Sequence, residues 1–272
     1  MAAPAHPSGP VVEPVSPDAP TLRAPVIMNQ DWRDLTYLHW AVDPAEVAHR
    51  MPPGVRPDVI DGATYVGLVP FRMVDAGPGR RSSVPWLGTF LETNVRLYSV
   101  DADGRRGVVF LSLDTDRLAV VLGARAGFAV PYRWARMSYD AQPAARPDGR
   151  AGHAGPEGVV HTYRARLRRP AGPATSHVSI RVGAPRVADA LDDFISARWR
   201  LHTRVLGRTL RVPNAHGRWP LHDAEVVALD DGLLGSVGLG HLARRAPDHV
   251  AFSPGVHTEF GLPQRVRVPA GG

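Results

Sequence analysis

One short segment places polar and charged side chains at every second position. Between Phe90 and Tyr98 this alternation puts Glu92, Asn94 and Arg96 on one face, because successive side chains of a strand point to opposite sides. An amphipathic strand with its polar face in water would explain the row. The aromatic residues at both ends favour a ligand pocket instead, since such pockets combine aromatic walls with a few polar groups. A glutamate buried there needs a partner, and the arginine on its own face is one candidate.

A second segment with chemical potential ends at Tyr132. It contains Arg125, and its Pro131 favours extended or turn geometry at the preceding residue. The tyrosine could donate a hydrogen bond to a developing oxyanion, with the arginine supplying positive charge. Glu92 could act as a general base if burial raises its pKa. These three residues are therefore the predicted catalytic set, for proton abstraction next to a carbonyl. Taken alone, Tyr132 is better explained as a simple wall residue of the pocket.

Two nucleophilic residue types are missing from the sequence. All 32 residues in the Lys+Arg total are arginine, and there is no cysteine. A GC-rich genome would produce this bias without a functional cause. The chemical consequence is independent of its origin: no side-chain amine can form a Schiff base, no thiolate can attack, and disulfides and cysteine-ligated metal sites are excluded.

Other catalytic and cofactor motifs are absent from the sequence. The 12 histidines are scattered, with no H-E-x-x-H pattern, so we predict no metal site. No nucleotide-binding loop or nucleophile elbow is present either. The glycine-rich stretch from Gly235 to Gly240 lacks the spacing of a dinucleotide fingerprint. We therefore predict no cofactor.

The charge pattern argues against a nucleic-acid partner. The net charge is +6 and the pI is about 10.4, but arginine is spread along the whole chain. The densest group, Arg164, Arg166 and Arg168, alternates on one strand face, which predicts a solvated surface. No apolar run of about 18 to 20 residues and no secretory signal is visible, so we predict no membrane partner and a cytoplasmic location. Homo-oligomerisation stays open.

The chain is predicted to be a single domain behind a leader. Residues 1–26 are rich in proline and alanine and predict a disordered leader, and residues 27–272 are assigned to the domain. Asp43 followed by proline predicts a helix start, with Glu46 completing a capping box, and apolar spacing predicts a helix over 187–202. The predicted strands are 63–73, 89–99, 107–114, 158–168, 175–182, 208–213, 222–229 and 233–238, with a linker over 140–157. This content predicts an α+β fold with a closed or half-closed antiparallel sheet.

Several motifs in order resemble one bacterial family. They are Leu35–Trp40, Met51–Gly54, Phe90–Tyr98, Ser112–Asp114, Ala124 to Tyr132, Phe194–Leu201 and Trp219–Ala224. Over roughly residues 32–265 the chain is similar to the YqjF-like family of uncharacterised bacterial proteins, within the acetoacetate decarboxylase-like superfamily. The resemblance implies an acetoacetate decarboxylase-like antiparallel β-barrel or cone with a few flanking helices, built around a small-molecule pocket. The side chains expected to contact the ligand are Asn94, Arg96, Tyr98, His39, Trp219 and His222.

The chain departs from the decarboxylases of that superfamily at the catalytic position. Their Schiff-base lysine falls on Tyr132, while their conserved-motif arginine and proline match Arg125 and Pro131. The resemblance therefore implies the pocket without its electrophilic amine, and a Schiff-base decarboxylase is excluded. Two functions stay open. One is an acid–base lyase, isomerase, cyclase or hydrolase acting on a carbonyl- or carboxylate-bearing metabolite; the other is a non-catalytic protein that binds a small ligand.

Overall fold

Strands dominate the computed structural model, which describes residues 11–23, 25–128, 130–143, 155–168 and 172–268, without the side chains of 124–128. The strands are β1 (Val26–Val42), β2 (Val55–Pro57), β3 (Thr64–Pro78), β4 (Phe90–Asp101), β5 (Arg106–Thr115), β6 (Tyr132–Pro143), β7 (Val159–Leu167), β8 (Thr175–Pro185), β9 (Arg200–Val205), β10 (Arg208–His216), β11 (His222–Asp231), β12 (His249–Gly261) and β13 (Gln264–Arg265). The helices are α1 (Pro44–Ala48), α2 (Leu118–Phe128), α3 (Ala190–Ser196) and α4 (Leu233–Ser236), with a 3-10 turn at Leu242–Arg244.

The strands of the described residues form one sheet that closes on itself. Their order is β13-β10-β9-β5-β6-β7-β8-β11-β12-β1-β3-β4-β2, and the additional pairings β10–β12 and β4–β5 complete a closed ring. The pairs are antiparallel except for β5 with β6 and β5 with β9, which are parallel. The predicted α+β fold with a closed, mainly antiparallel sheet is confirmed. The single sheet also supports the proposal that residues 27–272 form one domain.

Two hydrophobic clusters lie on opposite faces of β1 and β4. Alternation along β1 sends Leu35 and Tyr37 into one cluster and Leu38 and Trp40 into the other. The first cluster borders the cavity described below. The second is the larger core, and its other members include Val95, Leu97, Tyr163, Val178, Ile180, Leu233, Leu234 and Phe252.

The first helix begins where its capping residue predicts. Asp43 is the N-cap of α1, and its side chain accepts a hydrogen bond of 2.8 Å from the Ala45 amide. Pro44 occupies the first turn, where its missing amide proton has no intrahelical partner to lose. Glu46 contributes an acidic group to the same turn, and its carboxylate lies 3.0 Å from Nε2 of His241. The capping hydrogen bond of this helix is that of Asp43.

The helix predicted over 187–202 is shorter than its apolar spacing indicated. Helix α3 starts after the N-cap Asp189 and stops before Ala197, whose backbone leaves helical geometry. Val187, predicted as part of the apolar face, is almost fully exposed. The chain then enters β9 at Arg200, because pairing with two neighbouring strands replaces the intrahelical hydrogen bonds there.

The end of the chain contains a helix where a strand was predicted. Residues 233–238 were expected to be extended, but α4 occupies Leu233–Ser236. The carboxylate of Asp231 accepts from the Leu234 amide at 2.8 Å and stabilises this turn. Helix α2 was not predicted at all. Its short apolar run of alanine, valine, leucine and glycine gives no clear amphipathic period.

Part of the predicted leader lies against the ring. Within residues 11–23, the amide of Glu13 donates to the Gly104 carbonyl at 2.9 Å, and the Ser16 carbonyl accepts from the indole of Trp199 at 3.0 Å. The first ten residues and most of the predicted linker fall outside the described residues. No helix in the described part of the chain is long and apolar enough to cross a membrane.

Candidate active site

A cavity of about 590 Å³ lies inside the ring, bordered by β1, β3, β4, β5, β9, β10 and α2. Most of its lining is apolar or aromatic. It reaches the surface at the loop between β3 and β4, where Val84 both lines it and is partly exposed. Its polar lining groups include Gln30, Glu92, Asn94, Arg96, Tyr132, Arg198, Asn214 and His216.

The polar face of β4 points into this cavity. Glu92, Asn94 and Arg96 all line it, and two hydrogen bonds join the three side chains along the strand. The Asn94 amide donates to Glu92 Oε1 at 3.4 Å, and Arg96 Nε donates to Asn94 Oδ1 at 3.0 Å. The opposite face of the strand enters the larger core, where Val95 and Leu97 belong to the same hydrophobic cluster as residues of β7, β8 and α4. The interpretation of this row as a solvent-facing edge is therefore wrong.

Tyr132 is the closest partner of the buried glutamate. Its hydroxyl donates to Glu92 Oε2 at 2.7 Å, and both side chains are buried. The start of β6 is held against β5 by a parallel pairing of Tyr132 with Leu113. One residue further, Arg133 makes a two-pronged ion pair with the fully buried Asp114, at 2.5 and 2.8 Å. That pair fixes the position from which the tyrosine reaches the glutamate.

Burial raises the pKa of Glu92 to about 7. Hydrogen bonds from Tyr132 and Asn94 and the charge of Arg96 oppose the rise, since each favours the carboxylate. Burial also raises the pKa of Tyr132 well above its ordinary value, and the neighbouring glutamate raises it further. Near neutral pH both protonation states of the Glu92 carboxyl are therefore populated, next to a neutral hydroxyl donor.

Tyr98 and His39 lie behind the cavity and not on its wall. Both are fully buried, and the Tyr98 hydroxyl and His39 Nε2 are 2.6 Å apart. The guanidinium of Arg198, which does line the cavity, covers the Tyr98 ring at 4.9 Å from its centroid. Because Arg198 and Phe194 occupy the space above this end of β4, the predicted contact of Tyr98 and His39 with the cavity is absent.

The remaining predicted residues have three different positions. Trp219 lines the cavity and donates its indole N–H to the Ser196 carbonyl at 3.1 Å. His222 does not line it; its Nδ1 is 3.2 Å from the Gly183 carbonyl, because β11 pairs there with β8. Arg125 lies within helix α2, and its side chain is outside the described part of the structure.

Two members of an aromatic wall of the cavity, Trp32 and His216, were not predicted from the sequence, although Trp219 was. The rings of Trp32 and Trp219 stack 5.8 Å apart at an interplanar angle of 16°. His216 packs against both, with its Nδ1 2.7 Å from the Gly217 carbonyl. Burial lowers the pKa of His216 to about 4, so the ring is neutral, and a proton on Nδ1 makes Nε2 an acceptor. Alternation along β10 could have indicated this side chain, because Asn214, two residues earlier, shares its face.

A change of alternation in β1 brings Trp32 to this wall. Trp32, Leu35 and Tyr37 all line the cavity, although a regular strand would send the tryptophan to the opposite side. Asp34 adopts a positive φ of 52°, and the pairing with β3 shifts between Arg33 and Leu38. This irregularity inserts the extra residue that turns both halves of the strand toward the same cavity.

The donor set does not match a metal centre. Within the described residues, no group of three or more His, Cys, Asp or Glu side chains is arranged to hold a metal ion. Glu92 is the one acidic side chain in the described lining of the cavity. What the arrangement can do is transfer a proton between a carboxyl group and a bound molecule, with hydroxyl, amide and guanidinium donors nearby.

The closed ring defines an acetoacetate decarboxylase-like fold, as comparison with solved structures shows. An acetoacetate decarboxylase-like enzyme from Sphingomonas wittichii RW1 has a TM-score of 0.58 and 14% sequence identity, covering 90% of this chain and 94% of that one. The enduracididine biosynthesis enzyme MppR, in complex with pyruvate, has a TM-score of 0.57 and 15% identity, covering 90% and 92%. At such identities the likeness concerns the fold alone.

The sequence itself places the chain in a family. Residues 29–257 match the DUF2071 family, described as an uncharacterized conserved protein, and the chain belongs to this family. It is also 29% identical over 202 residues to the uncharacterized protein YqjF of Bacillus subtilis (strain 168), which covers 73% of this chain and 76% of the relative. The resemblance predicted from the motifs is confirmed.

Proposed function

We propose that this protein is an acid–base enzyme acting on a small carbonyl- or carboxylate-bearing metabolite, with Glu92 as the proton-transferring group and Tyr132 as its hydrogen-bonding partner. The observation that supports this most directly is the glutamate itself. It is buried in an apolar cavity, its pKa is raised to about 7, and the tyrosine hydroxyl is 2.7 Å away. A base of that pKa is matched to work near neutral pH.

The proposed chemistry begins with removal of a proton from a carbon next to a carbonyl. The Glu92 carboxylate takes that proton, and negative charge develops on the carbonyl oxygen. Once the carboxyl is neutral, the hydroxyl of Tyr132 can redirect its proton toward this oxygen and stabilise the charge. Arg125 remains, on sequence grounds, the proposed source of positive charge. Lyases, isomerases and cyclases that act through an enolate share this first step, whereas in a hydrolase the Glu92 carboxylate would instead take a proton from the attacking water.

A Schiff-base route is not part of the proposal. The 272 residues contain no lysine, so no side chain can form the iminium that such a decarboxylase requires. The solved neighbours still support the type of ligand, because one is named as an acetoacetate decarboxylase-like enzyme and another was determined with pyruvate. Both names point to small carbonyl or carboxylate compounds.

The proposed setting is the cytoplasm, with a small molecule as partner and neither a nucleic acid nor a membrane. On β7 the arginines Arg164 and Arg166 are exposed between buried neighbours, which supports an ordinary solvated face in place of a nucleic-acid surface. A homo-oligomer is compatible with this proposal. It is not required, because every group named in the proposed chemistry belongs to one chain.

Turnover by matched variants tests the proposal. Candidate carbonyl acids are screened for proton exchange at the carbon next to the carbonyl, followed by NMR in deuterated water. Glu92→Gln should lower the exchange rate at least about 100-fold, the usual contribution of a general base, whereas Glu225→Gln on the exposed side of β11 should not change it. Full exchange by Glu92→Gln would refute the catalytic role and leave the second function, a binding protein that uses the same cavity.

A further inference from the structure

We propose that the ligand of the cavity is an apolar, flat monocarboxylic acid, whose carboxylate binds Arg96 and whose body lies along the wall made by Trp32 and Trp219. This inference rests on the proposed function only in placing the ligand in the same cavity. It narrows the ligand from any carbonyl or carboxylate compound to one class.

The first support is the charge of Arg96. The residue lines the cavity and is partly exposed to it. Its Nε is used by Asn94, but among the described residues no carboxylate lies within the 4.0 Å that defines an ion pair. A guanidinium in an apolar cavity without an anionic partner favours an anionic ligand, because its planar fork matches a carboxylate.

The neighbouring arginine adds positive charge but already has a partner. Asp58 is buried and accepts from Arg198 and Arg106, each at 2.5 Å. One carboxylate thus faces two guanidinium groups, so these three side chains together carry a net charge of +1. Burial raises the pKa of Tyr98 to about 12, and the positive charges of Arg96 and Arg198 oppose that rise. The positive end of the cavity is therefore where β4 passes Tyr98.

The number of charges indicates a single carboxylate. Arg96 is the one cationic side chain in the described lining without an ion-pair partner, since Arg198 is paired with Asp58 and His216 is neutral. The surplus positive charge of the Asp58 group is shared with Arg106, which does not line the cavity. A second carboxylate on the ligand would have to approach Glu92. That residue carries negative charge above pH 7, so the second group would be repelled.

The second support is the size and chemistry of the walls. A cavity of about 590 Å³ falls in the range of pockets that hold drug-sized ligands, so an acid with only three carbons would leave most of it unfilled. The stacked pair of Trp32 and Trp219 presents flat aromatic surface, and flat ligands gain from such surface beyond the burial of their area. Much of the remaining lining is also apolar, including Val108, Phe110, Leu113, Val120 and Val130.

The test uses 3-phenylpropionate as the probe and two analogues that each remove one feature. The amide 3-phenylpropanamide keeps the shape without the charge, and propionate keeps the charge without the ring. Affinities for the full chain are measured by calorimetry at about pH 6, where Glu92 is mostly protonated. We expect the amide and propionate each to bind at least about tenfold more weakly than the acid, the factor given by about 1.4 kcal/mol.

Variants then assign the charge recognition to one residue. Arg96→Gln should abolish the preference for the acid over the amide, whereas Arg164→Gln, on the exposed face of β7, should preserve it. Equal binding of acid and amide by the unmodified protein would overturn the proposal, as would propionate binding as well as the phenyl compound. These comparisons do not depend on whether a variant folds.

The outcome is separable from that of the proposed function. Binding of the probe needs no turnover, and Glu92→Gln should keep the preference for the acid at this pH. If that variant also keeps full exchange activity, the acid–base proposal fails while the ligand class stands. If the acid is not preferred although Glu92→Gln is inactive, the ligand class is refuted and the catalytic proposal stands.

Discussion

Replacing Glu92 with glutamine tests whether the buried carboxyl is neutral in the folded protein. Burial raises its pKa from 4.5 to about 7, whereas the unfolded chain gives the ordinary value. The folded state therefore holds the proton more tightly, and the stability that comes from this group is fully present below pH 4.5. It is lost as the pH rises through about 7. Because one pH unit corresponds to about 1.4 kcal/mol, this interval is worth about 3 kcal/mol.

Glutamine keeps the shape of the neutral acid and has no proton to lose, so Glu92→Gln escapes this loss. The measured quantity is the difference in unfolding free energy between variant and unmodified protein, from urea titrations between about pH 4.5 and about pH 8.5. Taking the difference cancels the titration of all other groups. We expect it to shift by about 3 kcal/mol in favour of the variant at the alkaline end.

The control and the contrary outcome are defined by the same titrations. Glu225→Gln changes a glutamate whose side chain is 71% exposed, and its difference from the unmodified protein should stay within about 0.5 kcal/mol at every pH. A pH-independent difference for Glu92→Gln would mean that the folded and unfolded proteins bind this proton equally. A shift of the opposite sign would mean that the carboxylate is charged and well paired in the folded protein. Either result refutes the reasoning behind the acid–base site.

Two further changes are expected to have measurable effects. Tyr132→Phe removes a hydrogen bond that favours the carboxylate form of Glu92. Because one hydrogen bond of about 1.4 kcal/mol corresponds to about one pH unit, the pH at which exchange activity reaches half its maximum should rise by about one unit. An unchanged pH profile would contradict this. Asp58→Asn leaves Arg198 and Arg106 without their shared carboxylate, so the free energy of unfolding in urea should fall by about 3 to 5 kcal/mol; a loss no larger than that of Glu225→Gln would show that water compensates these guanidinium groups.

The sequence was sufficient to predict which side chains share a face where all of them lie on one regular strand. Alternation along β4 requires Glu92, Asn94 and Arg96 to share a face, and this holds because the pairing of β4 with β3 is regular along the whole row. The same rule fails for β1. Aspartate tolerates a positive φ better than most residues, but one aspartate is too weak a signal to predict the irregularity at Asp34. Counting alone would therefore place Trp32 on the wrong side of the strand.

The limits of prediction also follow from contacts distant in sequence. Tyr98 continues the polar row of β4 and was expected in the cavity. The guanidinium of Arg198, which is distant in the sequence, covers the Tyr98 ring instead. The orientation of Arg198 is in turn fixed by Asp58 on the loop after β2. Likewise, residues 200–202 were predicted to end a helix but instead begin β9, because β5 and β10 offer them strand partners. Such choices depend on the assembled ring.

The motif resemblance implies that Tyr132 stands where the decarboxylases have a lysine, and we propose that this difference changes the chemistry of Glu92 as well. In the decarboxylases that this chain resembles, the position holds an amine, and a protonated amine next to Glu92 would favour the carboxylate and keep its pKa low. A tyrosine hydroxyl offers one neutral hydrogen bond, at 2.7 Å, which is too little to offset burial. The carboxyl is therefore left with a pKa of about 7. Under the proposed function, the tyrosine that stands in place of the electrophilic amine thus leaves Glu92 as a proton acceptor suited to neutral pH, so the absence of a Schiff base does not by itself imply the absence of catalysis.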